Sequence, residues 1–198
     1  MTEMAQGAAS QNQQPERPAV QSKSTPRVTS SKTIWVNRND PTRQRDHVVF
    51  RSYWKLDATE TETLAVLSDY EHFSDWWGRT FLESSVAHRP ESGMVGLTGN
   101  VKSRGFLPYQ FGWKAEVTEA DETGVTLSAN GDFNGVGRFR RPNAGEDADL
   151  CFDWDILITK PILRFFTPYA CPIYLWNHAY AMANGARSLQ AEIERRRG

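Results

Sequence analysis

Residues 148–196 read ADLCFDWDILITKPILRFFTPYACPIYLWNHAYAMANGARSLQAEIERR, and the period of their apolar positions changes partway along. Up to Thr159 the period is two: Phe152, Trp154, Ile156 and Ile158 fall on one side of a strand, Asp153 and Asp155 on the other. Beyond it, Pro161–Thr167 fits one short helical piece, and Pro172 fits the first position of a long helix ending at about Arg196. That helix would be about 37 Å long, enough to cross a sheet from edge to edge. Leu175, Ala179, Met182, Ala186, Leu189 and Ile193 form its apolar stripe, and Arg195, Arg196 and Arg197 lie where the helix dipole favours cations.

Upstream, the period-two pattern recurs. Along 46–57 the even positions Val48, Phe50, Ser52, Trp54 and Leu56 form a buried side, and further strands are expected at about 80–89, 93–101, 107–119, 123–130 and 132–141. Turn signals such as Asp121-Glu122-Thr123-Gly124 separate them, and short turns make neighbours antiparallel. Thr59 and Glu62 form a capping box for a short helix, and a second helical turn follows over Tyr70–Trp77. Strands followed by a helix indicate α+β architecture: a seven-stranded antiparallel sheet around a long C-terminal helix, with two short helices after the first strand.

Residues 1–45 are dominated by Gln, Ser, Thr, Pro and Asn and read as a disordered tail, leaving 46–198 as the folded domain. The tail holds three acids and seven bases, so it carries +4 and the remainder −5. A basic, Ser-rich start also has the composition of an organelle-targeting peptide, without its apolar helical face; a solvated tail on a cytoplasmic protein is the reading preferred. Ile34-Trp35-Val36 is its one apolar patch, placed to dock on the body. The formal charge of −1 over 198 residues gives no basic field to attract nucleic acid. No apolar run approaches the roughly 18 residues of a transmembrane helix. Cys151 and Cys171 lack metal spacing, the histidines at 47, 72, 88 and 178 are scattered, and no phosphate-binding glycine loop precedes a helix, so neither metal nor cofactor is expected.

The element order, with Tyr70–Trp77 (YEHFSDWW), Leu107-Pro108-Tyr109, Gly131–Gly137 (GDFNGVG), Trp154, Thr159-Lys160-Pro161 and Trp176-Asn177-His178, resembles the START-like helix-grip superfamily, or SRPBCC. Within it, the closer likeness is to the polyketide cyclase/dehydrase and lipid-transport group. The resemblance covers about 46–196 and implies a deep apolar cavity between sheet and long helix, used for lipids, hormones, quinones or polyketides. It carries over no catalytic residue.

Strand parity selects the cavity side independently. Tyr109, Phe111, Trp113, Ala115 and Val117 share one face of their strand, and Phe133, Gly135, Gly137 and Phe139 share one face of theirs. Glycines on a concave face leave room, or mark a bulge that bends the sheet, and the two readings are compatible. Inward rings are ordinarily core. Trp54, Tyr109, Phe111, Trp113, Phe133, Phe139 and Trp154 together exceed what a small packed core needs, and stiff rings can hold a pocket open. Trp76-Trp77 form an entrance lip or plug one end. His178 lies beside Met182 near the helix's apolar stripe, whereas ideal geometry puts Asn177 on the far side.

The expected function is binding of a hydrophobic small molecule. The alternative is a polyketide cyclase/aromatase-type enzyme, in which His178 and Tyr109 would assist enolisation.

Overall fold

The computed structural model describes residues 29–198, apart from the side chains of residues 166–171. Eight strands form one sheet: β1 Ser30–Trp35, β2 His47–Lys55, β3 Phe81–His88, β4 Thr98–Ser103, β5 Phe111–Asp121, β6 Gly124–Gly131, β7 Phe133–Arg140 and β8 Leu150–Ile158. Helix α1 spans Glu60–Leu67, a 3₁₀ turn Tyr70–His72, α2 Phe73–Trp76 and α3 Pro161–Arg197. Every pairing is antiparallel, in the order β1-β2-β8-β7-β6-β5-β4-β3, and α3 packs closest to β1 and β2. A single antiparallel sheet with one long C-terminal helix matches the helix-grip arrangement.

The strand count differs from expectation because β1 comes from the stretch whose composition reads as tail; residues 1–28 lie outside the described residues. An edge strand needs backbone partners more than apolar bulk. Strand β1 pairs with β2 from Ser30↔Lys55 to Trp35↔Phe50 and turns Ser31, Thr33 and Trp35 inward. Trp35 is buried with its ring 5.6 Å from that of Phe50, and the Thr33 and Ser52 hydroxyls are hydrogen-bonded at 2.9 Å. Beyond the strand, Asn37 Oδ1 accepts from the Trp35 indole (2.6 Å) and from the Val49 amide (3.0 Å), which fixes the exit.

Two further expectations are corrected. The strand placed at 93–101 begins only at Thr98, because Gly93 and Gly96 adopt φ of 70° and 89° and make a loop. The two helical pieces after Thr159 are one helix of 37 residues, about 55 Å long. Pro161 sits in its first turn, where a missing N–H is harmless; Pro168 and Pro172 each withhold one donor without ending it.

Each end of α3 is tied to the body. Lys160, at its start, bonds Asp132 (2.7 Å) and the Gln110 carbonyl (2.9 Å). At its end Arg196 reaches Asp69 and Arg197 reaches Glu62, both at 2.7 Å. Glu62 also closes the expected capping box: its carboxylate accepts from the Thr59 amide (2.8 Å), and its own amide donates to the Thr59 hydroxyl (3.3 Å). Midway, a Cβ on Gly185 would collide with the Trp77 ring, so only glycine lets the helix settle on Trp77 and Trp54.

If β1 is part of the core, Trp35→Ala should cost about 3–5 kcal/mol in urea denaturation, the usual size for deleting a buried aromatic. Val36→Ala, at a residue 48% exposed, should stay within about 0.5 kcal/mol. Equal small effects would remove β1 from the core.

Candidate functional site

The inward faces of the sheet, α3 and the α1–α2 segment enclose a cavity of about 1240 Å³. It exists because α3 closes on one edge of the sheet while the remaining strands curve over it. Strand parity supplies the walls. From β5 and the residues before it come Tyr109, Phe111, Trp113, Ala115 and Val117, and from β8 Phe152, Trp154, Ile156 and Ile158, as the alternation predicts.

Of the residues singled out from sequence, Tyr109, Phe111, Trp113, Phe133, Phe139, Trp154, His178 and Met182 meet on this lining. Three do not reach it. Trp54 is fully buried behind Trp77, with ring centres 5.6 Å apart, in the seat of α3. A Cβ on Gly135 would run into the Asp155 carbonyl, so that glycine serves a close approach of β7 to β8. A Cβ on Gly137 would lie 2.5 Å from the Trp154 ring and 3.1 Å from Phe152, so the space it leaves is already filled by those rings. Neither glycine enlarges the cavity. Asp153 binds Arg140 (2.6 Å) and Arg51 (2.5 Å), and Asp155 binds His47 (2.6 Å), on the outward face.

Asn177 corrects the ideal-helix placement. Its Oδ1 accepts from the Leu107 amide at 3.0 Å and it joins the lining, because the loop between β4 and β5 arches over to that side of α3. At the same loop Phe106 packs on Trp176, ring centres 4.5 Å apart, and both stay about half exposed at the rim. Trp77 plugs rather than lines an entrance: it is 1% exposed, its indole donates to the Ala181 carbonyl at 3.3 Å, and Trp76 stacks on it.

The lining is mainly apolar; its charged members include Arg104, Arg140, Arg141, Asp132 and Asp149, and its neutral polar ones include His178. His178 lies parallel to Phe50, centres 4.9 Å apart, with Phe152 at 6.3 Å; its Nε2 is 3.5 Å from the Ser52 hydroxyl, the outer limit of a hydrogen bond. Burial pushes its pKa down to about 3, so the ring is neutral at pH 7. Burial pushes Tyr109 up to about 12, aided by Tyr174, and Tyr70 up to about 12 as well. Tyr70, Tyr109 and Thr80 belong to the lining, but their hydroxyl oxygens are buried away from the space and have no hydrogen-bond partner in the protein. Tyr70 and Thr80 were not singled out from sequence. Tyr70 falls within the quoted YEHFSDWW segment, whereas nothing in the pattern marks Thr80. Among the described residues no group of His, Cys, Asp and Glu is placed to hold a metal ion, and no helix is long and apolar enough to cross a membrane.

Neither a family model nor a curated protein matches the chain. Among solved structures it is similar to a STAR-related lipid transfer protein fragment from Xanthomonas axonopodis, with 11% identity, 86% of this chain and 97% of that one covered, and a TM-score of 0.46. It is similar to the KanY protein at 15% identity, covering 86% and 99%, with a TM-score of 0.49. A protein from Rhodobacter sphaeroides is similar at 11% identity, covering 83% and 99%, with a TM-score of 0.47.

The neutral histidine gives a pH signature. Its folded pKa lies below the unfolded value of about 6.5, so its contribution is intact above that pH and is lost as pH falls. Between about pH 6.5 and 4.5, before depressed carboxylates such as Glu146 and Glu192 contribute, stability should fall with a slope approaching about 1.4 kcal/mol per pH unit. His72, raised by its bond to Asp69, works in the opposite sense. His178→Phe, which keeps the stacked ring, should flatten that limb of the stability profile; an unchanged slope would place the proton uptake elsewhere.

Proposed function

We propose that the cavity binds a hydrophobic small molecule of the size of a lipid, polyketide, quinone or extended aromatic compound. The observation that carries this reading is the space itself: about 1240 Å³, walled mainly by rings and aliphatic side chains, with His178 and Asn177 among its polar groups. Small-molecule pockets commonly run to roughly 1,000 Å³, apolar with a few placed polar groups, and this one matches that description at the large end. Tyr109, Phe111, Trp113, Phe133, Phe139, Trp154, His178 and Met182 would touch the ligand.

Binding without catalysis is the reading favoured over a polyketide cyclase-type reaction in the same cavity. Proton transfer is most effective from groups whose pKa lies near the working pH. His178 at about 3 and Tyr109 at about 12 both lie far from it.

Native mass spectrometry of the purified chain should show a co-purifying small molecule or uptake of Nile red, a neutral apolar dye. Ala115→Trp, which projects an indole from β5 into the space, should weaken dye uptake at least tenfold with little change in melting temperature. Lost stability with unchanged uptake would mean that Ala115 faces filled core, where overpacking costs about 1–3 kcal/mol.

A further inference from the structure

From Ile156 to Ala191 the chain holds no Asp or Glu, although residues 46–198 carry 16 Lys and Arg against 21 Asp and Glu. Most of α3 lies in this stretch, and its outer side is apolar. Ile162, Phe165, Ile173 and Trp176 are all exposed, from 43% at Ile173 to 70% at Phe165. At about 100° per residue the four fall within about 80° of one another, opposite His178 and Met182 on the cavity side. Phe106, from the loop between β4 and β5, widens the patch: its ring centre is 4.5 Å from that of Trp176 and 6.0 Å from that of Tyr180. A helix that is apolar on both sides is ordinarily covered on both, and an exposed patch of this kind marks a docking surface.

Charge beside the patch selects what covers it. Arg79 and Arg104 adjoin: the Arg104 amide donates to the Thr80 carbonyl (2.8 Å) and its Nε lies 3.4 Å from the Arg79 carbonyl. Both are exposed, and among the described residues neither guanidinium has a carboxylate partner, although Asp75 lies four residues before Arg79. The acids at the start of α3 are neutralised, Asp46 by Arg164 and Asp132 by Lys160. Residues 1–28 offer little to cover the patch, with Met1, Met4, Val20 and Val28 as their large apolar side chains. A second copy would bring the same arginines and, from this stretch, no carboxylate to meet them. The patch also adjoins the cavity. Arg104, Gly105 and Asn177 belong to its lining, and a Cβ on Gly105 would strike Asn177, so the loop is pressed onto the helix where cavity and patch meet.

We infer that the outer face of α3 from Ile162 to Trp176, together with Phe106, docks on the surface of an anionic lipid bilayer. The helix lies in the plane of the interface: Phe106, Ile162, Phe165 and Ile173 enter the boundary of the acyl chains, and the Trp176 indole sits at the depth of the headgroups. Arg79 and Arg104 meet the negative headgroups beside them. Docking stands on the patch and its charge; that a ligand passes between bilayer and cavity at this mouth rests on the binding reading above.

The test sediments the whole chain with vesicles of phosphatidylcholine alone, or with about 30% phosphatidylserine, in about 0.1 M salt. Binding to the mixed vesicles should be about tenfold tighter or more, and should shift tryptophan emission to the blue. Trp176→Phe should remove most of that shift while leaving binding within about threefold, since a ring still enters the interface. The double variant Ile173→Ser/Trp176→Ser changes exposed positions off the cavity lining, so its melting temperature and Nile red uptake should match the native chain while vesicle binding falls about tenfold or more. Arg79→Gln/Arg104→Gln should remove the preference for phosphatidylserine and leave the weaker binding to phosphatidylcholine. A native chain that sediments with neither vesicle, or a serine variant that binds as the native chain does, would overturn the inference. So would a dimer in solution that the serine variant converts to monomer, which would assign the patch to a second copy. Nile red uptake without vesicle binding sinks docking alone, whereas vesicle binding without uptake supports docking and sinks the binding reading.

Discussion

The seat of α3 on two tryptophans is the contact on which the rest of the structure depends. Trp54 rises from β2 and Trp77 follows α2; their rings meet edge to face, and Gly185 lets the helix backbone rest directly on them. Around that seat the sheet offers small polar side chains, Ser31 and Thr33 of β1 and Ser52 of β2, so the helix comes close along this edge. Lysine and arginine ties at its two ends then fix its direction. A helix held hard against one edge of a twisted sheet diverges from the other strands. The cavity is that divergence, so its size follows from a packing constraint distant from most of its walls.

What keeps the divergence from collapsing is the stiffness of its lining. A Phe or Trp ring has only two rotatable bonds and a broad face, and here many rings are braced by two or three others: Phe133 by Phe111, Trp113 and Trp154, Phe152 by Phe139 and Trp154. Closing the space would require several rings to leave their contacts together. The outer face of the same strands is fixed by charge. Arg140 bridges Glu146 and Asp153, and Arg51 shares Asp153. The Arg140 guanidinium holds the Glu146 carboxyl down at about 2, and burial pushes the nearby Cys151 thiol up to about 11, so this cluster is a clamp on register with an inert thiol beside it.

Much of this was legible in the sequence because a half-buried strand writes its burial every second residue. The inward sets of β2, β5 and β8 are correct residue for residue, and the Thr59–Glu62 box forms as its spacing implies. Strand β1 was illegible for a physical reason: an edge strand earns its place through backbone pairing, and SSKTIW has one large buried side chain to announce it. The glycines of β7 were visible, but whether a missing Cβ makes a void or a close contact depends on the partner strand. Asn177 and Tyr70 were missed similarly, since their roles arise from a loop and a 3₁₀ turn whose paths no local period encodes.

His178 shows how polarity is used throughout the cavity. A neutral imidazole carries one donor and one acceptor, and here it stacks on Phe50, with Phe152 near-parallel at 6.3 Å and Ser52 at the limit of reach. The Ser52 hydroxyl is already engaged with Thr33, so His178 joins a short polar line from the edge strand to the cavity wall. Protonating it would leave a cation cut off from water, which is why burial depresses its pKa. A phenylalanine would stack equally well; histidine adds a weak polar edge without adding charge. Tyr70 and Tyr109 make the same compromise, each burying one hydroxyl where a lysine or aspartate would have demanded a counter-ion.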